Sequence, residues 1–331
     1  MYGFAEFVIY WLEEFIFYYP MAMSIVWSIG AAYFFLRRER KNDKEPPVLD
    51  EYPLVSVLIP ARNEEGAIAN TITGVLESSY PNIEVIVIND CSTDKTPLIV
   101  QGFVDTDSRV RMLTLEENMG KPYALRYGTL ASNSEIIVTI DADAYLDTHA
   151  ITWMVSHFAS SPRVGAVTGN PRVRNRTSLL AKIQVGEYSS IIGMIKRTQR
   201  ILGKVLTVSG VIAAFRRRAL YDVGLWDTDM VTDDINITWK LERNFWDIRY
   251  EPSALCWILV PESISGLWRQ RKRWAQGGGE VMRRHSDIWL SWKQRRLWPV
   301  YVEYVVSVFW SYTYVFFAII WIISFFVDTG L

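Results

Sequence analysis

Two uninterrupted apolar runs bracket this chain, and they limit what it can fold into more than any other feature. Phe15 to Leu36 and Tyr304 to Val327 hold 22 and 24 residues without one charge. At 1.5 Å per residue the shorter run makes a helix of about 33 Å, enough to cross a hydrocarbon core of about 30 Å. A buried core helix is the competing reading, but charge-free helices of that length are uncommon inside soluble domains. A signal peptide competes for the first run alone. No basic residue precedes that run and no small-residue cleavage site follows it.

Arg37 to Lys41 (RRERK) follows the first run, and Lys293 to Arg296 (KQRR) precedes the second. The positive-inside rule therefore predicts a cytosolic middle and both termini outside. The segments expected are 1–36 with the first membrane helix, a linker at 37–53, a globular unit at 54–255, a basic amphipathic stretch at 256–298, the second membrane helix at 299–327 and a tail at 328–331. From Arg269 to Arg296 there are nine Lys/Arg and two Asp/Glu, so this stretch is expected to lie against anionic headgroups. Glu303, at the inner edge of the second run, either pairs with an arginine or sits at the interface.

Composition narrows the function classes. With 50% hydrophobic residues, 21% charged and a net charge of -1, the chain is neither disordered nor a globally basic nucleic-acid binder. Two cysteines, Cys91 and Cys256, exclude a disulfide scaffold and a Cys-rich zinc module, and unpaired they suit a reducing cytosol. The three histidines, His149, His157 and His285, lack metal-ligand spacing and read as structural or surface.

Between the runs, short β-branched stretches alternate with helical patterns, the sign of βαβ units around a largely parallel sheet. Strands are read at Leu54 to Ile59, Ile83 to Ile88, Val110 to Leu115 and Glu135 to Ile140. Ligands bind off the carboxyl ends of such strands, which directs attention to Pro60 to Glu65, Asn89 to Asp94 and Asp141 to Asp143. No GxGxxG follows the first strand and no GxxxxGK[ST] occurs, which disfavours a dinucleotide dehydrogenase and a P-loop NTPase. Carboxylates stand there instead. Asp141 and Asp143, two apart at a strand end, could hold a hard cation that bridges a diphosphate; alone, such a pair more often caps a helix or faces solvent.

Asp90, Asp141-Ala142-Asp143, Thr232-Asp233-Asp234 and Gln270-Arg271-Lys272-Arg273-Trp274 occur in this order. The set resembles the D, DxD, [TE/D]D and QxxRW pattern of the processive family 2 glycosyltransferases, which make cellulose, chitin, hyaluronan and poly-N-acetylglucosamine. Within that group, Arg163 to Arg200, Thr207 to Arg217 and Arg269 to Val281 resemble the bacterial poly-β-1,6-N-acetylglucosamine synthases, enzymes of biofilm polysaccharide. The resemblance implies a GT-A fold between the two membrane helices, a bacterial inner-membrane location, UDP-N-acetylglucosamine as donor and Mg2+ or Mn2+ as cofactor. It implies that Asp90 bonds uracil or ribose, with Pro60, Arg62, Asn63 and Glu64 lining the nucleotide pocket and Lys121 near the nucleotide. Asp143 would coordinate the metal, and Asp141 would contact ribose or support the metal.

The same resemblance makes Asp234 the general base of an inverting displacement, in which a carboxylate takes the proton of the attacking hydroxyl. The middle residue is Asp233 where the family has Glu, so the role could fall to either aspartate; capping of a helix after Thr232 is the plainer alternative. Gln270, Arg273 and Trp274 fall at i, i+3 and i+4 and share a helix face. Arg273 would offset the leaving diphosphate's charge and Trp274 would offer its ring to the acceptor sugar, with Ser209 and Gly210 in the same group. Implied partners are the lipid bilayer, the growing polysaccharide and a small membrane helper subunit, with cyclic di-GMP activation of the pair in some bacteria. Two spans cannot enclose a polymer channel, so another copy or a partner is expected to complete it, unless the chain is a truncated form that cannot secrete. Chitin-like or hyaluronan-like synthesis is the alternative within the class. A catalytically inactive membrane scaffold is the alternative outside it.

Overall fold

A computed structural model describes residues 3–40 and 45–329. Lys41 of the basic cluster, residues 42–44 of the expected linker and the last two residues of the expected tail lie outside the described residues. α1 (Phe4–Phe34) carries the first apolar run and continues as a π-helical turn, Phe35–Glu39. It begins eleven residues before the run because Glu6, Glu13 and Glu14 interrupt the hydropathy without interrupting the helix. The globular unit opens with β1 (Val55–Ala61), α2 (Ile68–Leu76), β2 (Ile83–Asn89), α3 (Thr96–Thr106), β3 (Val110–Thr114), α4 (Lys121–Ala131) and β4 (Ile136–Ile140). It continues with β5 (Tyr145–Leu146), α5 (Ala150–Ala159), β6 (Val164–Val173), α6 (Leu179–Tyr188), a π-helical turn (Ser189–Ile195), α7 (Lys196–Leu202), β7 (Ile212–Arg216), α8 (Arg217–Asp222), α9 (Asp233–Arg243) and β8 (Asp247–Ile258). α10 (Ile264–Arg284), two 3-10 turns (Ser286–Leu290 and Trp292–Gln294) and α11 (Trp298–Thr329) complete the chain. The boundary drawn at 255/256 therefore falls inside β8.

The strands form one sheet in the order β3-β2-β1-β4-β7-β6-β8-β5. β1, β2 and β4 read as near-continuous Val/Ile/Leu runs because helices cover both faces of the sheet. Successive residues feed opposite cores. Val57, Val85 and Val138 enter one, while Leu58, Ile86 and Ile137 enter the other. The sheet is mixed rather than simply parallel, since β7 runs antiparallel to both β4 and β6 and β5 antiparallel to β8. The excursion through β6, α6 and α7 brings the chain back at the carboxyl end of β4, where Asp141 N–H donates to Val211 O at 3.2 Å. The next strand can only run the other way.

α1 and α11 are long and apolar enough to cross a membrane, and their most apolar windows are almost wholly uncovered by the rest of the protein. They touch through Phe15 and Phe309, ring centroids 5.6 Å apart, and through Trp310 Nε1, which donates to Ile16 O at 3.0 Å. α7 seats against both. Gly30 of α1 abuts Thr198, whose Oγ1 donates to Trp27 O at 2.9 Å. Arg197 Nε pairs with Glu39 at 2.6 Å. Glu303 accepts from Trp27 Nε1 at 3.3 Å and Gln199 Nε2 at 3.5 Å, so its partners are an indole and an amide rather than an arginine. A smaller core of Met230, Trp239, Val281, Met282, Ile288, Leu297 and Val300 ties α9, α10 and α11 together. Neither Cys91 nor Cys256 is in a disulfide.

Candidate active site

The turns after β1 and β2 are splinted to each other. Asn63, at φ +55°, accepts Thr93 N–H through Oδ1 at 2.8 Å and donates its own N–H to Ser92 Oγ at 3.1 Å. Glu64 N–H donates to Thr96 Oγ1 at 2.7 Å and Glu65 N–H to Asp94 Oδ2 at 3.0 Å. Cys91 also lies in the left-handed region, at φ +54°, where only small or turn-forming residues sit without much strain. Pro60 is half-buried at the end of β1, whereas Arg62 is exposed and makes no hydrogen bond or ion pair with a described residue.

Asp90 is buried, and each of its oxygens takes a backbone N–H, Met119 at 2.8 Å and Gly120 at 2.9 Å. These charge-assisted bonds stand at the start of α4, where the helix dipole favours an anion. Asp90 thereby fixes the turn that aims Lys121. Lys121 Nζ pairs with Asp141 and donates to Gly210 O at 2.8 Å.

Asp143 keeps a solvent-exposed surface at the mouth of this cleft. Enclosure by the cleft walls and, after it, the charge of Asp141 push its carboxyl upward against the pull of Lys121. Glu64 is pushed up to about 7, first by desolvation and then by Asp143, Asp141 and Asp94. Among the described residues no three His, Cys, Asp or Glu side chains form a ready-made metal cage. The donors present are oxygens with an excess of negative charge, which suits a hard divalent cation completed by a diphosphate.

Thr232, Asp233 and Asp234 open α9, both carboxylates lying in its first turn. Burial pushes both upward. Asp234 reaches about 6 through burial and the charge of Asp233, opposed by Lys121, by the Ile235 N–H that its Oδ1 accepts at 2.9 Å, and by Lys196. For Asp233 the chief opposing charge is Lys121, with Arg273 also contributing. Gly210 closes on Asp234 so tightly that a Cβ there would lie 3.0 Å from its Oδ2. Ser209, Gly210, Asp233 and Asp234 line one small cavity with Thr139 and Phe215. Two polar groups behind it were not singled out in the sequence. Thr168 Oγ1 accepts Ser209 N–H at 2.8 Å and Lys196 Nζ at 3.0 Å, and Lys196 is only 4% exposed.

Gln270, Arg273 and Trp274 share one turn of α10, a helix capped by Ser263. Gln270 Oε1 is buried without a partner among the described residues, while Arg273 and Trp274 are exposed. Arg271, absent from the motif reading, lies over the Trp274 ring at 4.3 Å and pairs with Glu187 at 2.5 Å. Three glycines follow, and Gly277 lies directly on Thr232: an added Cβ would stand 2.8 Å from Thr232 Cβ and nearer still to both γ atoms. At the neighbouring sheet edge an open cleft of about 520 Å³ is lined by Tyr145, Arg174, Arg176 and Trp257. The structure thus brings Lys121, Asp141, Asp143, Ser209, Gly210, Asp233 and Asp234 to one cleft. Asp90 holds the turn behind it, and the Gln270 helix rests on Thr232 through Gly277 and brings the charge of Arg273 to bear on Asp233.

Residues 53–277 match the model of the glycosyltransferase like family 2. The chain belongs to this family. The glycosyltransferase is 44% identical over 305 residues, 90% of its own length and 73% of the relative's, to a poly-β-1,6-N-acetyl-D-glucosamine synthase of Staphylococcus epidermidis. It is 42% identical over the same shares to the Staphylococcus aureus protein of that name. Its fold is similar to a mannosyltransferase of Pyrobaculum calidifontis solved with GDP-Man and Mn2+, at a TM-score of 0.61 and 24% identity over 82% of this chain and 76% of that one. The glycosyltransferase therefore has the GT-A fold implied by its motifs, on a mixed, mostly parallel sheet, with an apolar helix at each end that suits a membrane location.

Proposed function

We propose that the glycosyltransferase polymerises N-acetylglucosamine from UDP-N-acetylglucosamine into β-1,6-linked chains, with Asp234 as the base. The observation that carries this reading is the enclosed carboxylate of Asp234, raised to about 6 and pressed against Gly210 beside the Asp141–Asp143 turn. A base near neutrality accepts a proton readily yet stays ionised at working pH. Asp234 takes the proton of the acceptor 6-hydroxyl as that oxygen forms its bond to the anomeric carbon. The bond from that carbon to the diphosphate breaks, and UDP leaves with the electron pair. One displacement inverts an α-linked donor to a β-linked product.

The nucleotide lies over Pro60, Arg62, Asn63 and Glu64, with Asp90 and Asp141 on the uridine side. Asp143 would hold Mg2+ or Mn2+, which supplies positive charge to the diphosphate as it departs. Arg62, with no partner among the described residues, and Arg273 add to that charge. Trp274 offers its ring to the acceptor sugar, and Gln270 Oε1, without a partner among the described residues, accepts a hydrogen bond from one of its hydroxyls. α1 and α11 set this site at the cytosolic face of a bacterial inner membrane with both termini outside. A small membrane helper or a second copy completes the path for the polymer, and cyclic di-GMP acts, where it does, on that assembly.

Membranes containing the full chain, with and without a helper subunit, are given radiolabelled UDP-N-acetylglucosamine and Mg2+, and the product is digested with linkage-specific glucosaminidases. Polymer cut by the β-1,6 enzyme alone is expected. Polymer cut only by a β-1,4 enzyme would move the assignment to chitin-like synthesis, and no incorporation despite bound UDP would point to a scaffold.

A further inference from the structure

Lys196 is the most sequestered cation near the reacting groups, and the mechanism above leaves it without a task. It starts α7, is 4% exposed, makes one hydrogen bond, to Thr168 Oγ1, and forms no ion pair with a described residue. A buried ammonium with a single neutral partner is costly unless something nearby benefits from its charge. Thr168 leads to the beneficiary. The same hydroxyl accepts Ser209 N–H, and the Ser209–Gly210 backbone is the wall against which Asp234 rests.

We infer that Lys196 is the positioning residue of the base: it holds that wall through Thr168 and supplies the buried positive charge that keeps Asp234 ionised. This rests on Asp234 being the base. The charged groups bearing on Asp234 are Asp233 on its own helix, Lys121 from the start of α4 and Lys196 from α7; Asp141 and Arg273 bear on Asp233. Lys121 is already shared with Asp141 and Gly210, so Lys196 is the cation with no carboxylate partner of its own. Burial lowers Lys196 to about 7, against the pull of Asp234. It is therefore charged in the range where Asp234 would otherwise take up a proton, and that is where its charge counts. The sign follows: removing the cation raises the Asp234 pKa and moves the acid limb of the rate profile to higher pH.

The test measures UDP release from UDP-N-acetylglucosamine against pH for the full chain in membranes, with UDP affinity as the check on folding. Lys196→Gln, which keeps a donor to Thr168 without the charge, is expected to move the acid limb of kcat/KM up by about one pH unit. Its rate falls about tenfold below the limb and changes little above pH 8. Lys196→Met should do the same, whereas Lys196→Arg, which keeps the charge, leaves the limb in place even where the rate drops at every pH. A limb unmoved in Lys196→Gln with normal UDP affinity, or moved equally in Lys196→Arg, overturns the inference. Asp234→Asn is run in parallel. Transfer surviving there defeats the base assignment itself, while a dead Asp234→Asn beside an unmoved limb defeats only the role of Lys196.

Discussion

Replacing Gly277 by alanine adds a methyl group where α10 rests on Thr232. That Cβ would stand 2.8 Å from Thr232 Cβ, against the about 3.5–4.0 Å at which carbon atoms settle. Rotating the threonine gives no escape. Its two γ atoms fill two of three staggered positions, both on the Gly277 side, so any rotamer leaves at least one in the way. α10 and α9 must then part by about 1 Å, which carries Gln270, Arg273 and Trp274 away from Asp233 and Asp234. A misplacement of about 1 Å can cost about 10²-fold in rate, or about 2.7 kcal/mol of transition-state stabilisation. Overpacking would also cost about 1–3 kcal/mol of stability. Apart from Arg273, the nucleotide pocket belongs to other elements, so UDP affinity should fall far less than the rate. Initial rates of UDP release and a nucleotide titration on the same membranes separate the two quantities. Thr232→Gly in the same chain removes the clashing atoms and costs a helix N-cap only a few tenths of a kcal/mol, so the double variant should regain most of the rate. A fully active Gly277→Ala, or a loss not relieved by Thr232→Gly, would refute the packing argument.

Asp143→Ala should abolish the Mg2+ or Mn2+ dependence of UDP binding along with transfer, as titrations with and without the ion would show; binding that still rises with the ion places the metal elsewhere. Asp90→Asn exchanges an acceptor-only carboxylate for an amide with one oxygen, so one of the Met119 and Gly120 N–H groups loses its partner at a cost of about 1–3 kcal/mol. UDP affinity is expected to fall at least tenfold as the turn that aims Lys121 loosens, and unchanged affinity in a stable variant would show that the turn holds itself.

Much of the site was legible because it sits where pattern and chemistry coincide. The alternating runs of β1, β2 and β4 mark their own ends, and the polar residues directly after them are the ones the fold gathers. The second half of the sheet was harder to read. β6 carries Gly169-Asn170-Pro171 within it, and β8 contains Pro252 and pairs with β6 through register shifts, so neither shows a clean period of two. Lys196 was invisible for another reason: within IKRTQR it reads as one of several surface cations, and only the packing of α7 reveals that it points inward. Gly277 and Gly278 look like a weak point in a helix, because sequence records the missing side chains but not Thr232 and Tyr304, which need their absence. For Asp90 the sequence points to the nucleotide, whereas what the structure shows is its carboxylate holding the turn before α4.

Four consecutive residues of α7 look four ways: Lys196 toward Thr168, Arg197 to Glu39, Thr198 to Trp27 and Gln199 to Glu303. On the proposed reading, one helical turn separates the wall behind Asp234 from the two apolar helices. Such a short lever fixes the depth, measured from the bilayer, at which each sugar is joined. Anything that tilts the first membrane helix moves the floor of the reaction chamber with it.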